Sequence, residues 1–183
     1  MTTTEPTRGT VLVLGGARSG KSTWAEARVA PNGDVDYLAT SAANPEDPEW
    51  TERIRLHRER RPESWRTIET LDVAAEVRRD TPRALLVDCL TVWLARVLDE
   101  VGAWSDDAGW HDRLAAHTHE LIDAFSAATR PVVAVSNEVG QGIVPAEASA
   151  RLFRDEMGHL NAAVAAAVDE VWFCTAGIPT RLA

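Results

Sequence analysis

Cysteine is scarce in this chain: there are two thiols, Cys89 and Cys174, in 183 residues. Two cysteines in apolar, strand-like surroundings supply neither a disulfide framework nor a zinc site. Both are expected to behave as small core hydrophobes. No apolar run approaches the roughly 20 residues that a helix needs to cross a bilayer. Residues 1–10 are polar and lack the order of a secretion signal. These absences predict a cytoplasmic protein with no membrane span. An excess of positive charge is missing too. The 19 Lys and Arg against 28 Asp and Glu leave a net charge of −9, the wrong sign for a nucleic-acid partner. A smaller anion is not excluded, because a local pocket of dipoles and cations can hold it whatever the total charge. No repeat, low-complexity tract or linker interrupts the chain. Its 45% hydrophobic and 26% charged residues suit a single globular domain over 1–183, with residues 1–9 expected to be disordered.

What the chain does have is alternation. Short apolar runs at Thr10–Leu14, Val35–Ala39, Ala84–Val87, Pro131–Val135 and Glu170–Cys174 have the length of buried strands. Between them lie helical patterns at Lys21–Val29, Pro48–Arg60, Leu90–Val101, Asp107–Ala128 and Ala146–Val168. The last carries Phe153, Met157, Leu160, Val164 and Val168 on one stripe. Strands alternating with helices predict an α/β fold: a mostly parallel sheet with helices on both faces. In such sheets ligands gather beyond the carboxyl ends of the strands.

The first of those ends carries Gly15-Gly16-Ala17-Arg18-Ser19-Gly20-Lys21-Ser22, which matches the phosphate-binding pattern G-x-x-x-x-G-K-[ST] between a strand and a helix. Its glycines let the backbone curl so that N–H groups point inward at phosphate oxygens. The helix that follows aims its positive end at the same place. Lys21 is expected to reach the β- and γ-phosphates of GTP or ATP, and the Ser22 hydroxyl to hold Mg2+. The domain is thus read as a P-loop NTPase-like nucleotide-binding domain. Asp88 closes the run Ala84–Val87, where a carboxylate is the usual second partner of the magnesium site or a base. Capping of the helix near Leu90 is the other reading.

Trp50, Ile54, His57 and Arg61 stand four, three and four apart, so they share one helix face. A neutral imidazole there can attack phosphorus, and neighbouring guanidiniums can offset phosphate charge. These residues alone leave His57 open between a packed or surface histidine and a nucleophile.

Several segments together resemble one family. They are Gly15–Ser22, His57 with Arg61-Pro62 and Trp65-Arg66-Thr67, Asn137-Glu138-Val139-Gly140, and Gly142-Ile143-Val144-Pro145. Arg154-Asp155, Asn161 and Asp169-Glu170-Val171-Trp172 add to them. The chain resembles the bifunctional adenosylcobinamide kinase/adenosylcobinamide-phosphate guanylyltransferase family of cobalamin biosynthesis, from about residue 10 to 182. The resemblance implies two reactions. A nucleoside triphosphate phosphorylates the aminopropanol hydroxyl of adenosylcobinamide, and GMP then passes from GTP to adenosylcobinamide phosphate, with release of pyrophosphate. It implies a guanylylated histidine at His57, with Lys21 and Asp88 as further catalytic residues. Nucleotide contacts are implied at Gly15–Ser22, Thr40, Ser41, Ala42, Arg58, Glu59, Arg60, Arg61, Glu69 and Asp88. It also implies a homotrimer. A carboxylate at Glu69 suits the N–H donors of a guanine edge. The triplet Arg58-Glu59-Arg60 is more charged than expected at a phosphate-facing turn, which leaves the individual arginine assignments open. Glu138 is open between a magnesium or corrinoid contact and loop capping. Two rival readings stand beside this one: a small-molecule P-loop kinase without GMP transfer, and a nucleotide-dependent switch, which would need effector loops ordered by the γ-phosphate.

Overall fold

The computed structural model describes residues 5–41 and 61–183. Among these, seven strands form one sheet: β1 (Thr10–Gly15), β2 (Val35–Ala39), β3 (Arg66–Glu69), β4 (Ala84–Asp88), β5 (Val132–Asn137), β6 (Glu170–Thr175) and β7 (Ile178–Arg181). Their spatial order is β3-β2-β4-β5-β1-β6-β7. All pairings are parallel except β6 with β7, which is antiparallel. The α-helices among the described residues are α1 (Lys21–Val29), α2 (Val73–Arg78), α3 (Leu90–Glu100), α4 (Trp110–Ser126) and α5 (Ala148–Ala167).

Strand alternation sorts the core into two layers. Val11, Val13, Val35, Tyr37, Leu86, Val133 and Val135 face Ala25 and Val29 of α1. Leu12, Leu38, Leu85, Val87, Val132 and Ala134 face the other way, toward the larger helices. On α3, Leu90, Trp93, Leu94, Val97 and Leu98 are buried, the i, i+3, i+4, i+7, i+8 stripe that seats a helix on a sheet. On α5 the predicted stripe holds, with Met157, Leu160 and Val164 buried. The Phe125, Leu12 and Leu38 side chains are among the largest that are fully buried, and each such burial stabilises the fold by about 1.5–3 kcal/mol.

Thr7 lies within the stretch expected to be disordered, yet it is fixed to the fold. That residue is buried, its N–H donates to Asn32 Oδ1 at 2.9 Å, and its hydroxyl donates to the Arg28 carbonyl at 2.8 Å.

At the amino end of the sheet sits a buried carboxylate, Asp36. It accepts from Arg66 Nε at 3.1 Å and Nη2 at 3.0 Å, Arg83 Nε at 2.7 Å and Arg130 Nη2 at 2.7 Å. Arg130 is itself fully buried and also donates to the carbonyls of Arg83, Glu76 and Ala84. The cluster ties β2, β3, β4 and the entry to β5 at the end remote from the phosphate loop. Burial alone would raise the Asp36 pKa, but the hydrogen bonds from Arg130, Arg83 and Arg66 outweigh it and hold the carboxyl below its ordinary range. A folded-state pKa below the unfolded one means stability that is present above about pH 3.9 and lost as pH falls through the folded value. Asp36→Asn leaves the buried Arg130 guanidinium without its counter-charge. It is expected to cost about 3 kcal/mol in urea unfolding at neutral pH. The loss should shrink below the carboxylate pKa, and an equal loss at pH 7 and pH 3 would contradict this account.

Candidate active site

β1 delivers Gly15 to the carboxyl edge of the sheet, and α1 begins six residues later at Lys21. Glycine is required at Gly15 by space: a Cβ there would lie 2.6 Å from Ser19 Oγ and 2.7 Å from the Cys174 carbonyl oxygen. Gly20 has φ 90°, and its Cβ would meet Gly177 Cα at 2.9 Å. Ala17 and Arg18 are exposed on the rim of the loop, with Arg18 in the left-handed region at φ 57°. The Ser19 N–H donates to the Gly16 carbonyl at 3.3 Å, and the Gly177 N–H donates to the Ser19 carbonyl at 2.8 Å. The β6–β7 hairpin therefore buttresses the loop from outside.

No side chain caps α1, and its first turn holds no acidic residue. Its positive end is left to an anion. Lys21 Nζ donates to the Gly16 carbonyl at 3.2 Å, which puts the ammonium over the loop. The Ser19 hydroxyl is buried and has no hydrogen-bond partner among the described residues, a group that a phosphate oxygen would satisfy. Ser22 follows on the first turn, partly buried.

Asp88 ends β4, in register with Ala39 on one side and Val135 on the other. Alternation puts it on the same face as Leu86, and so on the α1 side of the sheet. The helix-cap reading fails, since the N-cap of α3 is Cys89. The Asp88–Cys89 peptide bond is cis. The Asp88 carboxylate instead accepts from Tyr37, whose hydroxyl lies 2.7 Å from Oδ2. Burial first, and then the Asp88 charge, push the Tyr37 hydroxyl well above the usual phenol range, with Arg61 opposing. The phenol stays a donor.

Sequence reasoning missed Tyr37. Only the pairing of β2 with β4 brings it to Asp88, and no local pattern announces that pairing. Burial, and next the Asp88 charge, also raise the Cys89 thiol, while at Cys174 burial raises it against the nearby Lys21. Both thiols are held as neutral groups, in keeping with their expected role as small hydrophobes.

The remaining predicted contacts divide. Glu69 ends β3 opposite Ala39, so it stands at the same carboxyl edge and is exposed. Thr40 is fully buried. Its hydroxyl donates to the Cys89 carbonyl at 2.7 Å and accepts from the Cys89 N–H at 3.1 Å, which locks the β2 exit to the start of α3. Ser41 follows it, partly buried. The Arg61 guanidinium lies 3.1 Å from the centroid of the Tyr37 ring, with Nε 4.0 Å from Glu26 Oε1. The predicted Pro48–Arg60 helix, with Ala42, His57, Arg58, Glu59 and Arg60, lies outside the described residues.

Asn137 pairs with Gly15 in register, so it stands beside the phosphate loop. Its N–H donates to Thr91 Oγ1 at 2.8 Å, and its carbonyl accepts from Asn161 Nδ2 at 3.0 Å. Glu138 accepts from the Gly140 N–H at 2.5 Å, the loop-capping contact, and its own N–H donates to the Gly15 carbonyl at 3.2 Å. Ser136 faces the other way and donates to Asn161 Oδ1 at 2.7 Å.

A divalent cation would find hard oxygen donors in the Ser22 hydroxyl and the Asp88 carboxylate. Among the described residues no group of three or more His, Cys, Asp or Glu forms a metal cage. A cation here would complete its shell with phosphate oxygens and water, which is how Mg2+ is held beside nucleotides. The donor set fits. The clefts between the outer helices, lined by Leu94, His111 and Leu160 or by Trp93, His117 and Leu121, share no residue with this site.

A family model and two related sequences agree. The family model of cobinamide kinase / cobinamide phosphate guanyltransferase matches residues 11–182. The bifunctional adenosylcobalamin biosynthesis protein CobU of Escherichia coli (strain K12) is 39% identical over 180 residues, covering 94% of this chain and 98% of that protein. The bifunctional adenosylcobalamin biosynthesis protein CobP of Pseudomonas aeruginosa is 42% identical over 175 residues, covering 93% and 95%. Among solved structures, the chain is similar to the P4 protein of bacteriophage phi6 in complex with ADP. The TM-score is 0.46 at 19% identity, over 94% of this chain and 54% of that one.

Proposed function

The chain belongs to the cobinamide kinase / cobinamide phosphate guanyltransferase family, and from that premise we propose that it phosphorylates adenosylcobinamide with ATP or GTP and then transfers GMP from GTP to adenosylcobinamide phosphate through a guanylylated His57. The observation that carries the nucleotide half is the phosphate loop at the end of β1 with Asp88 on the same face of the sheet. Phosphoryl transfer asks a protein for positioning and charge neutralisation. The loop amides and the α1 amino end hold the phosphates, and Lys21 reaches the β- and γ-oxygens as charge moves onto the leaving group. Ser22 and Asp88 would hold Mg2+, which when bound would offset the negative charge of the phosphates. The proton of the substrate hydroxyl, released as that oxygen bonds to phosphorus, is assigned to Asp88 or Glu138, and an Asp88→Asn variant with full kinase activity would remove the first.

GMP transfer needs attack at the α-phosphorus. A histidine nitrogen forms the P–N bond and pyrophosphate leaves. The phosphate oxygen of the corrinoid then attacks the same phosphorus, and the P–N bond breaks. The covalent step lets pyrophosphate depart before the bulky acceptor docks. We assign that nitrogen to His57 on the resemblance of its segment. Glu69 is assigned to the guanine edge, and Ser41, Ala42, Arg58, Glu59 and Arg60 to the surrounding nucleotide contacts. The working protein is proposed to be a cytoplasmic homotrimer, for which light scattering should give three times the 20.0 kDa chain mass; a monomeric mass would contradict it.

The experiment that tests the transferase half uses GTP labelled at the α-phosphorus. After denaturation the protein should retain label that is acid-labile and base-stable, as a phosphoramidate is. A protein that phosphorylates the corrinoid but never retains label is the simple kinase of the alternative reading.

A further inference from the structure

Tyr37 is a buried hydroxyl that neither proposed reaction has yet used. Its ring lies in the apolar layer beneath α1, among side chains such as Val35, Leu86 and Val135, and a phenylalanine would fill that space equally well. The oxygen is what distinguishes it. A hydroxyl withdrawn from water into such a layer is costly unless it is hydrogen-bonded, and here it donates to Asp88 Oδ2 at 2.7 Å. Among the described residues this is the one hydrogen bond that the Asp88 carboxylate receives. A carboxylate at a strand end can otherwise turn about its last torsion, which is broad. A fixed donor on one oxygen selects one orientation and leaves Oδ1 for chemistry.

The donor is itself fixed. The Arg61 guanidinium lies 3.1 Å from the ring centroid, a cation–π contact that is strong when desolvated, and the Arg61 side chain is only 8% exposed. Glu26, 4.0 Å from Arg61 Nε, stands on α1, the helix that begins with Lys21 and Ser22. Tyr37 is thus held between β2, which carries it, α1, reached through Arg61 and Glu26, and β4, which carries Asp88.

We propose that Tyr37 is a positioning residue for the kinase reaction: its hydroxyl orients the Asp88 carboxylate, and the Arg61–Glu26 pair holds its ring so that the orientation follows α1 and the phosphate loop. This rests on the kinase reading of the site, and it places Arg61 behind the reacting groups rather than on the nucleotide. A hydrogen bond to a charged group supports an effect of about 10- to 100-fold.

Tyr37→Phe keeps the ring and the Arg61 stack and removes only the hydroxyl. Corrinoid phosphorylation should fall at least about tenfold in kcat, with the nucleotide KM within about twofold and the melting temperature nearly unchanged. A second readout needs no turnover: the gain in affinity for a fluorescent GTP analogue on adding Mg2+, measured against EDTA. That gain should shrink in Tyr37→Phe, and in an Asp88→Asn background Tyr37→Phe should change it no further, because the two residues act as one unit. Unchanged kcat and Mg2+ gain in Tyr37→Phe overturn the proposal. So do effects that add in the double variant, and so does a fall in kcat matched by a lost melting transition. A wild-type protein with no kinase activity would sink the kinase reading instead, while the Mg2+-dependent affinity still reports on Tyr37.

Discussion

Lys21→Ala is expected to silence phosphoryl transfer and GMP transfer together, by about 10³-fold or more in kcat/KM. In the proposed scheme both reactions begin from a triphosphate gripped by the same loop, and Lys21 is the loop's one side-chain cation aimed across it, lying 3.2 Å from the Gly16 carbonyl. Fold stability should not follow. Lys21 opens α1 at a partly exposed position, where alanine is at least as good a helix former. The measurement is steady-state kinetics of each half-reaction alongside a melting curve. A variant that keeps a tenth of either activity would mean that the cation is not at the transferring phosphate. Retained affinity for a fluorescent GTP analogue would be compatible, since the backbone amides and the helix end remain.

His57→Ala should separate what Lys21→Ala removes together. GMP transfer and retained α-label are expected to vanish, at least about 10⁴-fold down, the scale of losing a covalent nucleophile, while corrinoid phosphorylation persists near the wild-type rate. The asymmetry is the point of the experiment. On the proposed scheme a nucleophile serves only the reaction at the α-phosphorus, whereas the phosphate loop serves both. Label that survives in His57→Ala moves the nucleophile to another residue. Parallel loss of both activities would make His57 part of the general nucleotide grip, and the two-step account would fall.

Much of the fold could be read from the chain because its central strands are buried on both faces. Val11, Val13, Leu85, Leu86, Val133 and Val135 are all essentially inaccessible, so their runs are continuously apolar and stand out from the helices between them. The phosphate loop was legible because its function is executed by backbone, and the glycines that free that backbone are visible in sequence. The edges were not. β3 is a short polar strand on the rim, mostly exposed, and β7 carries Pro179 and pairs on one side only, as edge strands with proline do. Neither has the apolar signature on which the reading relied. The six-residue α2 was missed although Asp72 caps it, accepting from the Ala75 N–H at 2.9 Å; one cap before so short a run carries little weight.

At the site, sequence foresaw Asp88 as an end-of-strand carboxylate but not the Tyr37 hydroxyl on it. That contact depends on β2 lying beside β4 while β3, which follows β2 in the chain, lies outside it. The Asp36 cluster was invisible for the same reason. Arg66, Arg83 and Arg130 are far apart in sequence and converge only through strand pairing. Thr40 was grouped with the nucleotide contacts by resemblance, and the structure gives its hydroxyl to Cys89.

The hairpin against the phosphate loop has a consequence for sequence change. Gly20 and Gly177 come together as bare backbone, from opposite ends of the chain: a Cβ on the first would sit 2.9 Å from the Cα of the second, and the second has a φ of 79° that other residues adopt at a cost. A library that randomises Gly20 should recover almost only glycine, and a bulkier residue there should survive only in clones whose tail hairpin has been rebuilt. Gly177, where a Cβ meets open space, should also admit asparagine or aspartate. The last two strands thus set a lateral clearance for the grip on phosphate, although they contribute no group to it.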